Sequence, residues 1–209
     1  MGTPTFDFAA YAMVCFCDIP ISRINEHVNF YGSFGIGLSR EWGMKNHLSP
    51  VLYLSPTAPL CRALCRTIKE ASEGADDANK DVVHRNIGFL LAYAKPTGGR
   101  MVINGEPVQK EFYQESEWRY VPQHKEISLA LLREKFEDET VLLAANVKTQ
   151  EHGMLPFSPP DVRYLFVPTD AEIPDIINFI QTEMDSHVSA DLKVLMSRVT
   201  SLESISRDI

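Results

Sequence analysis

The chain has 209 residues, 44% of them hydrophobic and 23% charged, which suits a globular domain with a sizeable core and excludes a disordered chain. Its net charge of -8 excludes broad electrostatic adhesion to nucleic acid or to an anionic membrane, although a local basic groove stays possible. No apolar run has the length needed to span a bilayer, and the first twenty residues contain no Lys or Arg. We therefore expect a cytoplasmic protein.

Strand and helix patterns alternate from the start of the chain. The apolar run 11–19 predicts a strand buried on both faces, near the centre of a sheet. A helix is predicted over 22–30, with His27 on its inward face. The glycines of 31–38 permit tight turns or the close approach of a ligand or a neighbouring strand.

The middle of the chain continues this alternation. Its predicted elements are a turn over 42–46, a buried strand over 50–54, a helix ending near Gly74, a second helix over 82–94, and a strand over 101–103 that leads into a turn at Asn104 and Gly105. Four cysteines fall here and in the first strand, as Cys15, Cys17, Cys61 and Cys65. Their C-x-C and C-x-x-x-C spacings do not match the usual zinc sites, so we expect reduced core residues and no metal.

The C-terminal part is less regular. Its predicted elements are a helix or irregular cover over 127–136, a strand or helix over 141–147, a strand over 161–167, a helix over 172–184 capped by Thr169, and a last helix over 190–204. The predicted fold class is α+β. We expect one domain with a mixed or antiparallel sheet over 1–185 and a helical extension over 186–209.

The segment 110–122 has the two-residue period of a strand but carries more charge than a strand needs. The period places Glu115, Glu117 and Arg119 on one face, with Trp118 on the other face, which we expect to be buried. Two carboxylates roughly 7 Å apart repel in a dry site unless a cation, a sugar or Arg119 compensates them. The alternative is an edge strand whose charged face is solvated.

Several sequence blocks resemble one known family. They are MVCFCDIPISRINEHVNFYGSFGIGLSREWG, followed by PVLY, then ESEWRYVP, and last DVRYLFVPTDAEIPDIINFI. Together they resemble the AbiGi family of bacterial abortive-infection proteins, and the resemblance covers most of the chain. It implies a role in phage defence within a toxin–antitoxin pair, where this chain would be the antitoxin. The implied partner is a cognate toxin, or an antitoxin if the two roles are exchanged.

A second resemblance concerns chemistry. An E-x-E motif on a strand, after a buried strand and an aromatic, glycine-containing segment, is similar to the arrangement in ADP-ribosyltransferases. The resemblance implies that NAD is the co-substrate and that Glu117 stabilises the cationic sugar as nicotinamide leaves. Glu115 would position the acceptor, which would be a protein or a nucleic acid.

The same resemblance assigns a set of cofactor-binding residues. Tyr31 and Phe34 would stack on nicotinamide, His27 would hydrogen-bond a ribose hydroxyl, and Arg119 completes the set. Two hypotheses are therefore open. Either the chain is an NAD-dependent ADP-ribosyltransferase, or it is a non-catalytic antitoxin or regulator whose glutamate face is a docking surface or an internal ion pair with Arg119.

Overall fold

A computed structural model of the chain describes residues 8–103 and 105–207. The chain forms two compact units, and each unit is assembled from two separate stretches of sequence. The first unit contains the described residues up to Cys17 together with Leu48–Met154. The second unit contains Asp18–His47 together with the described residues from Leu155 onward.

Helices and short strands alternate along both units. In chain order they are β1 (Ala9–Ala10), β2 (Val14–Cys17), α1 (Ile24–Tyr31), β3 (Gly35–Leu38), α2 (Arg40–Lys45), β4 (Ser49–Pro50), β5 (Leu52–Leu54), α3 (Pro59–Gly74), α4 (Lys80–Ala92), β6 (Ala94–Pro96), β7 (Gly99–Ile103), β8 (Glu106–Lys110), β9 (Glu117–Tyr120), β10 (Leu131–Leu132), α5 (Arg133–Glu137), α6 (Glu139–His152), β11 (Val162–Val167), α7 (Ile173–Glu183), α8 (Ser189–Met196), β12 (Val199–Ser201) and α9 (Leu202–Arg207). This mixture of helices and small sheets confirms the predicted α+β class.

The first unit is built on small sheets. Strands β2, β9 and β4 form an antiparallel sheet with β9 in the centre, and β5 pairs with β6 in parallel. The two sheets are linked because β5 follows β4 after a single residue, Val51, whose N–H donates to the carbonyl of Glu117 at 3.0 Å. The short stretch from β4 to β5 thus pairs with β9 through β4 and with β6 through β5.

The second unit is built on a sheet of order β12-β11-β3, in which β12 runs parallel and β3 antiparallel to β11. Helices α7 and α8 cover it through a core of Val162, Ile180, Leu192 and Leu195. Because Leu192 and Leu195 of α8 lie in that core, the helix is an integral part of the unit.

Two glycines of β3 lie directly against aromatic rings of β11. Gly35 is paired with Phe166, and Gly37 is paired with Tyr164. A Cβ atom added at either glycine would overlap the ring of its partner. The glycines of this segment therefore permit close approach of a neighbouring strand, which was one of the two predicted possibilities.

Three predicted elements differ from the structure. Strand β2 covers only 14–17 of the predicted 11–19 and lies at one end of its sheet, not at its centre. The turn predicted over 42–46 is helix α2, whose first turn is capped by Ser39. The helix predicted over 190–204 is broken by β12, because the β-branched Val199 and Thr200 pair with β11.

Other predicted elements are refined by the structure. The segment 141–147 is helical within α6, and 127–136 contains β10 and α5. Strand β11 and helix α7 lie where they were predicted. The hairpin of β7 and β8 confirms the strand before the predicted turn. Asn104 of that turn lies outside the described residues.

Candidate functional site

The two glutamates of the E-x-E motif are separated by a sharp turn and not by regular strand. Residues Phe112–Glu115 form one turn of 3-10 helix, and Ser116 adopts the left-handed conformation with φ 46° and ψ 50°. Strand β9 begins only at Glu117. The continuous strand predicted over 110–122 is therefore wrong, because a 3-10 turn and a left-handed residue interrupt it between β8 and β9.

This turn brings both carboxylates to the same cations. Lys95 Nζ lies 2.5 Å from Glu115 Oε2 and also contacts Glu117 Oε2. Lys110 Nζ lies 2.7 Å from Glu115 Oε1, and Arg119 Nε donates to Glu117 Oε1 at 2.6 Å. We call these five residues the glutamate cluster. Each of its carboxylates contacts two cations.

Neighbouring elements of the first unit fix the geometry of the glutamate cluster. In the β5–β6 pair, Lys95 lies beside Tyr53, whose hydroxyl accepts a hydrogen bond of 2.8 Å from the backbone N–H of Glu117. The ring of Phe112 lies under Lys95, 4.8 Å from Nζ to its centroid, as in a cation–π contact. The cluster is thus held by β6, by Lys110 at the end of β8, by the 3-10 turn and by β9.

The glutamate cluster is buried. The side chains of Glu115 and Glu117 are each 3% exposed, those of Lys110 and Arg119 are 8% and 11% exposed, and that of Lys95 is 16% exposed. The alternative of a solvated edge strand is therefore wrong, since β9 is the central strand of its sheet and its glutamate is buried. Trp118 on the opposite face, which the strand pattern predicted to be buried, is half-buried.

Ion pairing controls the protonation of Glu117. Burial on its own would raise the pKa of this carboxyl, but hydrogen bonds from Arg119 and Lys95 outweigh burial and lower the pKa. Burial on its own would lower the pKa of Lys95, but its hydrogen bonds to Glu115 and Glu117 outweigh burial and raise the pKa. Glu117 and Lys95 are therefore ionised at neutral pH. Of the compensating groups that the sequence left open, Arg119 pairs with Glu117, and two lysines supply further positive charge.

Two thiols lie beside this charge. Cys15 and Cys17 of β2 are paired with Arg119 and Glu117 across the sheet. Partial desolvation of the thiol groups, with a smaller effect of the neighbouring glutamates, raises the pKa of Cys15 to about 11 and that of Cys17 to about 12, although Cys15 as a whole residue is exposed. Both side chains are thus thiols at neutral pH, a form that is a poor nucleophile and a poor metal ligand.

The four cysteines are unpaired, as predicted, but they are not core residues. Cys15 and Cys65 are exposed, and Cys17 and Cys61 are half-buried. Over 8–103 and 105–207, side chains of His, Cys, Asp and Glu do not gather in groups of three or more that could hold a metal ion. In the same residues we find no helix with the length and apolar character required to cross a membrane.

The predicted site residues divide between the two units. Glu115, Glu117 and Arg119 come together in the first unit, whereas the other predicted binding residues, which are His27, Tyr31 and Phe34, belong to the second unit. Within the second unit the rings of His27 and Tyr31 lie 4.5 Å apart between centroids, at 30° to each other. Phe34 is largely exposed.

Sequence reasoning missed Lys95 and Lys110. Lys95 lies 20 residues before Glu115 and reaches it through the β5–β6 pairing, which no local pattern indicates. The sequence offered one conditional signal, because two glutamates in a dry site require more than the single positive charge of Arg119. That argument calls for further cations without naming them.

The similarity to known proteins extends over most of the chain and is not confined to the glutamate cluster. A family model described as "Putative abortive phage resistance protein AbiGi, antitoxin" matches residues 6–168. A relative from Lactococcus lactis subsp. cremoris, named abortive phage resistance protein AbiGi, is 26% identical over 218 residues, which cover 94% of this chain and 88% of the relative. No solved structure matches the chain. The chain therefore belongs to the AbiGi family of abortive phage resistance proteins.

Proposed function

We propose that the chain is a non-catalytic antitoxin, which acts by binding a partner toxin during abortive infection, and that the glutamate cluster is structural. The structural role rests on one observation. Both carboxylate oxygens of Glu117 are already in ion pairs, one with Arg119 and the other with Lys95. The family is described as an antitoxin family, and we infer the binding role from that description. A partner that neutralises a toxin needs a docking surface but no reaction centre.

Electrostatics favours a structural role for the glutamate cluster over a role in ADP-ribosyl transfer. A catalytic glutamate would have to stabilise a developing positive charge on a ribose. A sugar cation placed against Glu117 would also lie close to Lys95 and Arg119. Like charges about 4 Å apart repel by about 4 kcal/mol at an effective dielectric constant of about 20. Two such repulsions would offset the attraction of the carboxylate.

The net charge of the cluster supports the same conclusion. Its five residues comprise two carboxylates and three cations, so the cluster as a whole is positive. A positive, buried site suits the retention of ionised glutamates within a fold, and it does not suit the binding of a cationic transition state. The residues described around Glu117 therefore do not fit the nicotinamide end of NAD.

One experiment separates the two functions. Wild-type protein and the Glu117→Gln variant are incubated with labelled NAD and a lysate of phage-infected cells, and protein and nucleic acid are then separated. We expect no transfer of label with either protein. We also expect a tagged copy recovered from infected cells to carry a second protein in constant stoichiometry. Transfer of label that the wild type performs and a folded Glu117→Gln variant does not would overturn the proposal.

A further inference from the structure

We propose that the outer edge of β3 binds an extended segment of a basic partner protein, which adds a fourth strand to the sheet β12-β11-β3. The inference rests on the proposed antitoxin function and specifies how the toxin is held. Strand β3 lies at one end of that sheet. Within the described part of the chain, backbone hydrogen bonds of 35–37 are made to β11 alone. Its other edge thus offers N–H and C=O groups in the spacing of a strand.

The two edge strands of this sheet differ in the elements that contact them. At the opposite end, β12 contacts α7 and also α9, which follows it directly in the chain. The main contact of β3 among the described elements is with β11. Natural sheets protect an open edge with a charged residue, a proline or a covering element. The segment 31–38 contains no charged residue and no proline.

Apolar side chains accompany the open edge. Ile36 is 52% exposed, and Phe34, just before the strand, is 64% exposed. On the other face of β3, Gly35 and Gly37 are covered by Phe166 and Tyr164 of the same sheet. An incoming strand would thus gain main-chain hydrogen bonds along the edge and apolar contact at alternate positions, beside Phe34 and Ile36.

The net charge of the chain indicates which kind of protein would bind at the edge of β3. A second copy would bring another net charge of -8 to the interface, and the repulsion would oppose association. A two-fold pairing of β3 with itself would also involve only four residues on each side, which is small compared with stable dimer interfaces. A partner of net positive charge meets neither difficulty, and it gains a faster, salt-sensitive association.

The test uses the protein recovered with the tagged full-length chain from infected cells, identified by mass spectrometry and then produced together with it. Hydrogen exchange is measured on the free chain and on the complex. We expect amide exchange in 34–38 to slow at least tenfold in the complex. Ile36→Lys places a charge on the open edge and should weaken binding at least tenfold, more so at low salt, whereas Ile36→Thr keeps a β-branched strand former and should bind within about threefold.

The results that would contradict the docking site differ from those that would contradict the antitoxin function. A bound partner with unchanged exchange in 34–38, or undiminished binding by a folded Ile36→Lys variant, would overturn the docking site and leave the antitoxin function standing. A free chain that self-associates, and that Ile36→Lys converts to a monomer, would overturn it in favour of a second copy as occupant. Recovery of no protein in any stoichiometric complex would overturn the antitoxin function and the docking site together.

Discussion

Arg119 reaches back along its own strand to Glu117, and its Nε donates a hydrogen bond of 2.6 Å to Oε1 of that glutamate. The two residues are two positions apart in β9, so the pleat of the strand places both side chains on one face. The same guanidinium donates to the carbonyl oxygen of Ala92, the last residue of α4, where a positive charge is favoured by the helix dipole. One arginine thereby joins the glutamate cluster to a helix end.

The first prediction concerns the charge of Glu117. Glu117→Gln keeps the volume of the side chain but leaves three buried cations facing the single carboxylate of Glu115. Removing one partner of a buried ion pair costs about 3 to 5 kcal/mol, so we expect the free energy of unfolding to fall by that amount in a urea titration.

Glu106→Gln is the matched control, because Glu106 is exposed on β8 in the same unit. Its unfolding free energy should change by less than about 0.5 kcal/mol. If Glu117→Gln were as stable as the parent, the ion pairs of the cluster would contribute nothing to folding, and the structural role proposed for it would be wrong.

The second prediction concerns the stability of the fold at low pH. The pKa of Glu117 is lowered in the folded protein from its ordinary value of 4.5, so the unfolded chain binds a proton there more readily. Its stabilising contribution is therefore complete above that value and is lost as the pH falls through the folded pKa. Urea midpoints measured between pH 7 and pH 3 should fall more steeply for the parent than for Glu117→Gln. Parallel profiles would show that Glu117 does not titrate with a lowered pKa.

Much of the second unit could be predicted from the sequence, because its signals are local. The run 161–167 has the composition of a buried strand, and Thr169 with Glu172 forms the capping box that precedes α7. The break between α8 and α9 could not be predicted in this way. It depends on the pairing of β12 with β11, about 34 residues earlier in the chain, which overrides local helix propensity.

The glutamate cluster shows the same division between local and distant causes. The sequence indicated that Glu115 and Glu117 needed compensating charge and that Arg119 could supply part of it. It did not indicate the left-handed Ser116, since a serine in that conformation has no sequence signature as strong as glycine. The contribution of Lys95 depends on the parallel pairing of β5 with β6, which joins segments about 42 residues apart.

The third prediction concerns the close approach of β3 to β11. Gly37→Ala adds a methyl group that overlaps the ring of Tyr164, and we expect a loss of about 1 to 3 kcal/mol in unfolding free energy. Gly74→Ala at the end of α3 is the control, because its added methyl group meets no atom within 4 Å. The control should be neutral or stabilising by up to about 1 kcal/mol. Equal effects of the two substitutions would contradict the packing described here.

The fourth prediction concerns Ser116, whose φ of 46° suits glycine better than any residue with a Cβ atom. Ser116→Gly should raise the free energy of unfolding by up to about 1 kcal/mol, whereas Ser116→Val should lower it by at least about 1 kcal/mol. Thermal melts of the two variants beside the parent test the order Gly, Ser, Val. A valine variant that melts with the parent would place this residue outside the left-handed region.

Strand β3 also has a consequence for synthesis on the ribosome. Its sheet partner β11 begins on the order of 120 residues later, so at about 5 to 20 residues per second the nascent chain carries β3 unpaired for roughly 6 to 25 seconds. During that interval an uncharged, glycine-containing segment with Phe34 and Ile36 is open on both edges to other nascent chains.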